Sequence, residues 1–299
     1  MLASVEGLLR AAEGDGFVLP GPEEADLKVI LRGREEVNSH GYRDRPRALA
    51  RTEGVARVAV LGDSVTFGQG VAMEQAFPWV AEEALEGVEV LNLGQSGFDI
   101  QQVVAMARHR LGVWKPDLVV YAFHTNDRVE TRYIRAGRRA RPLHVGTELS
   151  GWLASLRAHS ALVRLSLGAR AARNSAVLGT DEQASFFDRW APRLVEAVGE
   201  TPLVVFTVPH HRLAAEDCPS WSGDAAACRA SQEALSQANA VFQALGVPVV
   251  PGLPALRRVD VDALVLPHDP FHPSAEGHRV LGQALAEDLR GRLSPARSE

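Results

Sequence analysis

Cysteine is scarce in this chain: Cys218 and Cys228 are its only two in 299 residues. No histidine joins them at metal-ligand spacing, which excludes a zinc site of the usual kind. Ten residues apart, they could close a local disulfide, but two free thiols are the expectation for a cytoplasmic protein. Net positive charge is also missing. Thirty-two basic residues against 37 acidic ones leave −5 at pH 7, so neither nucleic acid nor an anionic membrane surface is attracted in general. No apolar run is long enough to span a bilayer. The opening Met1-Leu2-Ala3-Ser4-Val5-Glu6-Gly7 has no basic segment and no apolar core, so no signal peptide is expected and the cytoplasm is the expected location. Internal repeats and low-complexity linkers are absent. What remains, 46% hydrophobic and 23% charged residues, is the composition of a globular protein with a sizeable core. The length allows one large α/β domain or two small ones.

The chain is organised around Val58-Ala59-Val60-Leu61-Gly62-Asp63-Ser64-Val65-Thr66-Phe67-Gly68. Val58 to Leu61 is a short apolar run rich in β-branched residues and closed by glycine, which predicts a buried strand. Ser64 follows it at the edge where open parallel sheets bind ligands. The run is not the nucleophile elbow Gly-x-Ser-x-Gly, because Thr66 stands where the second glycine belongs. By itself it reads equally as a turn with a capping serine.

From Val58 onward strands and helices alternate. Strands are predicted at about 58–61, 88–92, 117–122, 202–207 and 247–250. Helices are predicted at about 75–86, 99–112, 181–198, 228–245 and 274–291. Asp99 and Ser274 are the expected N-caps of the second and last of these helices. Five strands alternating with helices predict a parallel sheet covered on both faces. Residues 1–54 form an N-terminal extension packed on the domain, with a strand expected at Leu27–Leu31 and a turn-rich loop at Asn38–Arg43. Residues 55–295 form the domain. Its stretch 128–180 is too long for a simple connection and reads as a helical insert, with a helix around 150–173.

Near the end stands His268-Asp269-Pro270-Phe271-His272-Pro273. A serine hydroxyl becomes a nucleophile when a base takes its proton, and that base is commonly a histidine oriented by a carboxylate. His272 and Asp269 are three residues apart in a loop stiffened by two prolines, so they can meet within one turn. Ser64, His272 and Asp269 are therefore the expected triad. Asp63 and Asp127 are expected to hold loops by accepting backbone N–H groups. His268 is expected at the rim, His278 exposed on the last helix, and His210 and His211 as a solvated pair that could instead line the pocket.

Two further blocks complete a pattern: Leu91-Asn92-Leu93-Gly94-Gln95-Ser96-Gly97 and Phe123-His124-Thr125-Asn126-Asp127, each after a predicted strand. With the Gly62-Asp63-Ser64 and Asp269…His272 blocks, in this order over about residues 55–292, they resemble the four signature blocks of the SGNH (GDSL) hydrolases. The resemblance implies a three-layer α/β/α sandwich of flavodoxin-like type with a mainly parallel five-stranded sheet. It implies ester hydrolysis through an acyl-serine intermediate, with no cofactor and no metal. It implies an oxyanion hole of the Ser64 N–H, the Gly97 N–H and the Asn126 side chain, Gly97 being preferred to Gly94 by its position in the block and expected to allow close backbone approach.

This sequence departs from the family at His124, where glycine is usual two residues before the asparagine. His124 and Arg128 are expected to contact substrate. Arg128, Arg132, Arg135, Arg138, Arg139 and Arg141 cluster with Glu130 as the only acid among them. They form either a solvated loop or a patch that steers anionic substrates. The expected substrate is a small-molecule or carbohydrate ester, with short-acyl or carbohydrate O-acyl esters favoured. Acyl transfer, thioester or lysophospholipid hydrolysis, and a non-catalytic binding module are the alternatives.

Overall fold

The computed structural model describes residues 37–128, 132–136, 139–143, 181–210, 213, 225–266 and 269–293. Five strands, β1 (Ala56–Gly62), β2 (Val88–Asn92), β3 (Leu118–His124), β6 (Leu203–Val208) and β7 (Val249–Pro251), form one sheet in the order β2-β1-β3-β6-β7. Every pairing in it is parallel. Side-chain alternation along β1 explains the layers. Ala59 and Leu61 point into one core with Leu111 and Trp114 of α3 (Ile100–Trp114), Leu194 of α4 (Asp181–Val198) and Phe242 of α5 (Ala225–Ala244). Val58 and Val60 point into the opposite core. There they meet Phe77 of α2 (Phe77–Glu83), Leu256 of the short α6 (Leu253–Leu256) and Leu281, Leu285 and Leu289 of α7 (Ala275–Leu293). Each leucine so buried stabilises the fold by roughly 1.5–3 kcal/mol. A sheet buried on both faces needs near-continuous apolar strands, and β3, Leu-Val-Val-Tyr-Ala-Phe-His, is buried throughout.

The expected N-caps are present. Asp99 Oδ1 accepts from the N–H groups of Gln101 and Gln102, and Ser274 Oγ accepts from Gly277 N–H at 3.2 Å. Residues 37–54 pack onto the domain as a strap. The His40 ring stands edge-on to Trp114, 4.9 Å between centroids. Arg47 bonds Asp44, Glu82 and the Val90 carbonyl. The predicted strand at 27–31 and helix at 150–173 lie outside the described residues.

Three expectations are corrected. Cys228 is disulfide-bonded, and no described cysteine is free. The only other cysteine of the sequence, Cys218, lies outside the described residues; a ten-residue separation is short enough to close at little chain-entropy cost. The arginine-rich segment, which falls in the stretch read as a helical insert, is where described an antiparallel pair of strands, β4 (Arg132–Ala136) with β5 (Arg139–Leu143). His278 is wholly buried rather than exposed. Its Nδ1 accepts the Phe77 N–H at 3.3 Å and its ring stacks on Phe77, because this turn of α7 faces α2 and not solvent.

Candidate active site

β1 ends at Gly62, and the chain enters a four-residue helix, α1 (Ser64–Phe67), at once. Asp63 is its N-cap, with Oδ1 accepting from Val65 N–H at 2.9 Å. Ser64 is the first residue of the helix, so its own N–H has no partner within the helix. Its hydroxyl lies 2.9 Å from His272 Nε2. His272 Nδ1 lies 2.6 Å from Asp269 Oδ2. The other oxygen of Asp269 accepts the N–H groups of Phe271 and His272, at 2.9 and 3.3 Å. Those two bonds curl the strand β8 (Asp269–Pro273) so that carboxylate and imidazole meet three residues apart. With the carboxylate on one nitrogen, the proton of neutral His272 belongs on Nδ1, and Nε2 is left to accept from Ser64. Burial alone would raise the Asp269 carboxyl, but the bonds from His272 and from Phe271 N–H outweigh it and hold it below the ordinary value. Such a relay can take a proton from the serine and return it to a leaving group.

The neighbouring strands bring the other two blocks to the same edge. Val60 pairs with Asn92 and Gly62 with Ala122, so the loops after β2 and β3 leave the sheet on either side of Ser64. Gly94 is the close-approach glycine. A Cβ there would stand 2.5 Å from the Phe67 nitrogen in α1, and Asn92 Oδ1 holds its N–H at 3.0 Å. Gly97 is exposed and a Cβ there would meet open space. Its glycine answers a backbone φ of +80°, a region side chains avoid.

After β3, the chain turns through a 3-10 segment, Thr125–Arg128. Asp127 Oδ2 accepts from Tyr121 Oη at 2.7 Å and from the His124 N–H at 3.2 Å, the loop-holding role expected of it. Burial, with the Asp63 carboxylate adding to it, pushes the Asp127 carboxyl well above its usual range. His124 is 1% exposed, and its Nδ1 lies 2.5 Å from Asn126 Oδ1 and 3.7 Å from Asp63 Oδ2. Its ring centroid is 5.2 Å from Phe271 and 6.5 Å from His210. Burial pushes its pKa down; Asp63 and the bond to Asn126 oppose this, and His272 adds to it.

The structure brings Ser64, His272 and Asp269 together and places several other residues differently from expectation. Arg128 does not stand open to substrate: it is 5% exposed, and burial lowers its pKa against the charges of Glu233 and Asp188, on α5 and α4. His210 is half-buried and faces the Phe271 ring at 5.8 Å, while His211 and His268 lie outside the described residues. Arg43 escaped notice altogether. From the strap its guanidinium reaches the carbonyls of Phe67, Gly68 and Val71, at 3.2, 2.7 and 2.5 Å, and so closes the C-terminal end of the helix that begins with Ser64. One arginine in a turn-rich loop carries no signal of that. The pairing of His124 with Asn126 could have been suspected from their two-residue spacing and the unusual histidine.

Among curated proteins, none matches the chain in sequence. Solved structures do match its fold. They include a member of the lipolytic protein G-D-S-L family from Veillonella parvula DSM 2008 (14% identity, 80% of this chain and 100% of that one, TM-score 0.51). A lipase/acylhydrolase from Enterococcus faecalis matches at 18% identity over 82% of this chain and 100% of that one, with a TM-score of 0.50. A carbohydrate acetylesterase family member from Sinorhizobium meliloti matches at 17% identity over 81% and 100%, with a TM-score of 0.50. At these identities they attest the α/β architecture. The family model is more specific, since its match over residues 60–280 runs from the strand that presents Ser64, through both intervening blocks, past His272 into α7. By that match the chain belongs to the GDSL-like lipase/acylhydrolase family, whose members are ester-hydrolysing enzymes.

Proposed function

We propose that this enzyme is a serine esterase that hydrolyses a short-acyl or carbohydrate O-acyl ester through an acyl-serine intermediate. The observation that carries the reading is the unbroken chain of hydrogen bonds from Ser64 through His272 to Asp269. Ser64 Oγ attacks the ester carbonyl while His272 Nε2 takes its proton, and Asp269 steadies the imidazolium that results. The oxyanion is received by the N–H groups of Ser64 and Gly97 and by the Asn126 amide; one such donor is worth about 100- to 1000-fold in rate. His272 returns the proton to the departing alcohol. It then activates the water that frees the acid and Ser64.

Two features support the preference for small acyl groups on sugars. The half-buried rings beside His272 are those of Phe271 and His210, surfaces on which a sugar face can pack. One structure of like fold is named a carbohydrate acetylesterase family member. No described helix is long and apolar enough to cross a membrane. The disulfide at Cys228 favours an oxidising compartment over the cytoplasm, since glutathione keeps cytosolic thiols reduced.

The test is a panel of chromogenic esters graded from acetyl to long acyl, with an acetylated sugar included, beside labelling by a serine-directed phosphonate. Fast turnover of acetyl substrates, with the label on Ser64, is expected. Preference for long chains would overturn the substrate class, and a label elsewhere would overturn the nucleophile.

A further inference from the structure

His124 occupies the place where glycine is usual, and its ring is spent inside the protein. Two oxygen atoms converge on its Nδ1: Asn126 Oδ1 at 2.5 Å and Asp63 Oδ2 at 3.7 Å. Asp63 Oδ2 is buried and has no hydrogen-bond partner among the described residues. A nitrogen facing two oxygen acceptors, one of them a carboxylate, carries the proton, so His124 is the Nδ1–H tautomer. Asn126 must then present its carbonyl to His124, because a reversed amide would set two donors against each other. The Nδ2 hydrogens consequently face away from His124, free for another acceptor. Asn126 is only half-buried, whereas His124 beneath it is sealed.

We infer that His124 is a positioning residue, which fixes the Asn126 carboxamide with its NH2 turned toward the acyl oxygen and so preorganises one donor of the oxyanion hole. The inference rests on the oxyanion role proposed above for Asn126. It also gives the histidine a reason to be there. A carboxamide next to glycine can rotate about its last torsion, and each turnover must then spend free energy to align it; one already bonded through its carbonyl is aligned before substrate arrives. Because burial lowers the His124 pKa, the ring stays neutral near pH 7 and adds no positive charge beside His272.

The experiment is a double-mutant cycle on a hydrolysed acetyl ester. Asn126→Ala lowers kcat by about 100-fold or more. His124→Phe keeps a ring of similar size against Phe271 but cannot donate, and lowers kcat by roughly 10- to 100-fold with KM little changed. Placed on top of Asn126→Ala, His124→Phe costs less than about 2-fold, because the carboxamide it orients is gone. His124→Asn, which restores a donor near the Nδ1 position, recovers most of the lost kcat. Losses that multiply in the double variant, or a His124→Phe enzyme with wild-type kcat, overturn the inference. An Asn126→Ala enzyme with wild-type kcat overturns the oxyanion reading instead. Should His124→Phe not fold, nitrogen NMR of the wild-type imidazoles decides. A His124 protonated on Nδ1 and bare on Nε2 supports the inference, and the opposite tautomer overturns it.

Discussion

At the end of the sheet where the strands begin, Arg57 is 1% exposed. Its donors go to Glu89 Oε2 at 2.8 Å and to the carbonyls of Ala48, Leu49, Ala50 and Trp114, each at 3.1 Å. Its backbone N–H goes to Asp117. At the opposite end, around Ser64, polar atoms are left over. Asp63 Oδ2, Thr66 Oγ1, both amide atoms of Gln95 and Asp127 Oδ1 are buried without a hydrogen-bond partner among the described residues. One end of the sheet binds the strap to the fold; the other carries the nucleophile, with these buried polar atoms packed behind it.

If this division is right, substitutions at the two ends separate activity from stability. The largest effect is expected at Ser64. Ser64→Ala or His272→Ala should lower kcat by about 10⁶-fold, since members of such a relay act as a unit. The urea midpoint should move little. Wild-type turnover by either variant would dissolve the comparison. Asp269→Ala should cost less, about 10⁴-fold, because the base remains but loses its orientation. At the other end, Arg57→Met should leave kcat per folded molecule unchanged and cost roughly 3 kcal/mol in a urea titration, as four carbonyls lose their donors. A stable but inactive Arg57→Met protein would show that the two ends are coupled.

The strands and the meeting of Asp269 with His272 were legible because they follow from local signals. β1, β2 and β3 are apolar runs closed by glycine or polar turns, and Asp269 and His272 reach each other within a single loop. The role of Arg43 within the strap was not, because it depends on carbonyls more than twenty residues further along the chain, which only the folded chain brings near. Gly94 and Gly97 show the same limit. Both read as turn glycines, and only the packing of Phe67 against one and the positive φ of the other tell the two reasons apart. The burial of His278 was hidden by position: a histidine one turn into a terminal helix looks exposed until α2 is found across from it.

His278 yields the smallest effect and the cleanest contrast, since it lies six residues from His272. His272 has a carboxylate on one nitrogen and a hydroxyl on the other. His278 has one backbone N–H, at Nδ1, and its buried Nε2 has no partner among the described residues. Burial, with the nearby His272 and Arg43 adding to it, pushes the His278 pKa down to about 3. The unfolded chain takes up that proton near pH 6.5. Between those two values the unfolded state binds more protons than the native one, so stability from this residue is full above about pH 6.5 and falls as pH drops toward 3. At pH 5 the loss should be roughly 2 kcal/mol, at 1.4 kcal/mol per unit of pH. Urea midpoints measured from pH 7.5 to 5 for the wild type and for His278→Leu isolate the contribution, because other titrating groups are common to both. The variant should be less stable at pH 7.5, having lost the Phe77 bond, yet should fall less steeply with acid. Parallel curves for the two proteins would mean that His278 is already protonated in the native state, and that the packing against Phe77 tolerates a charge.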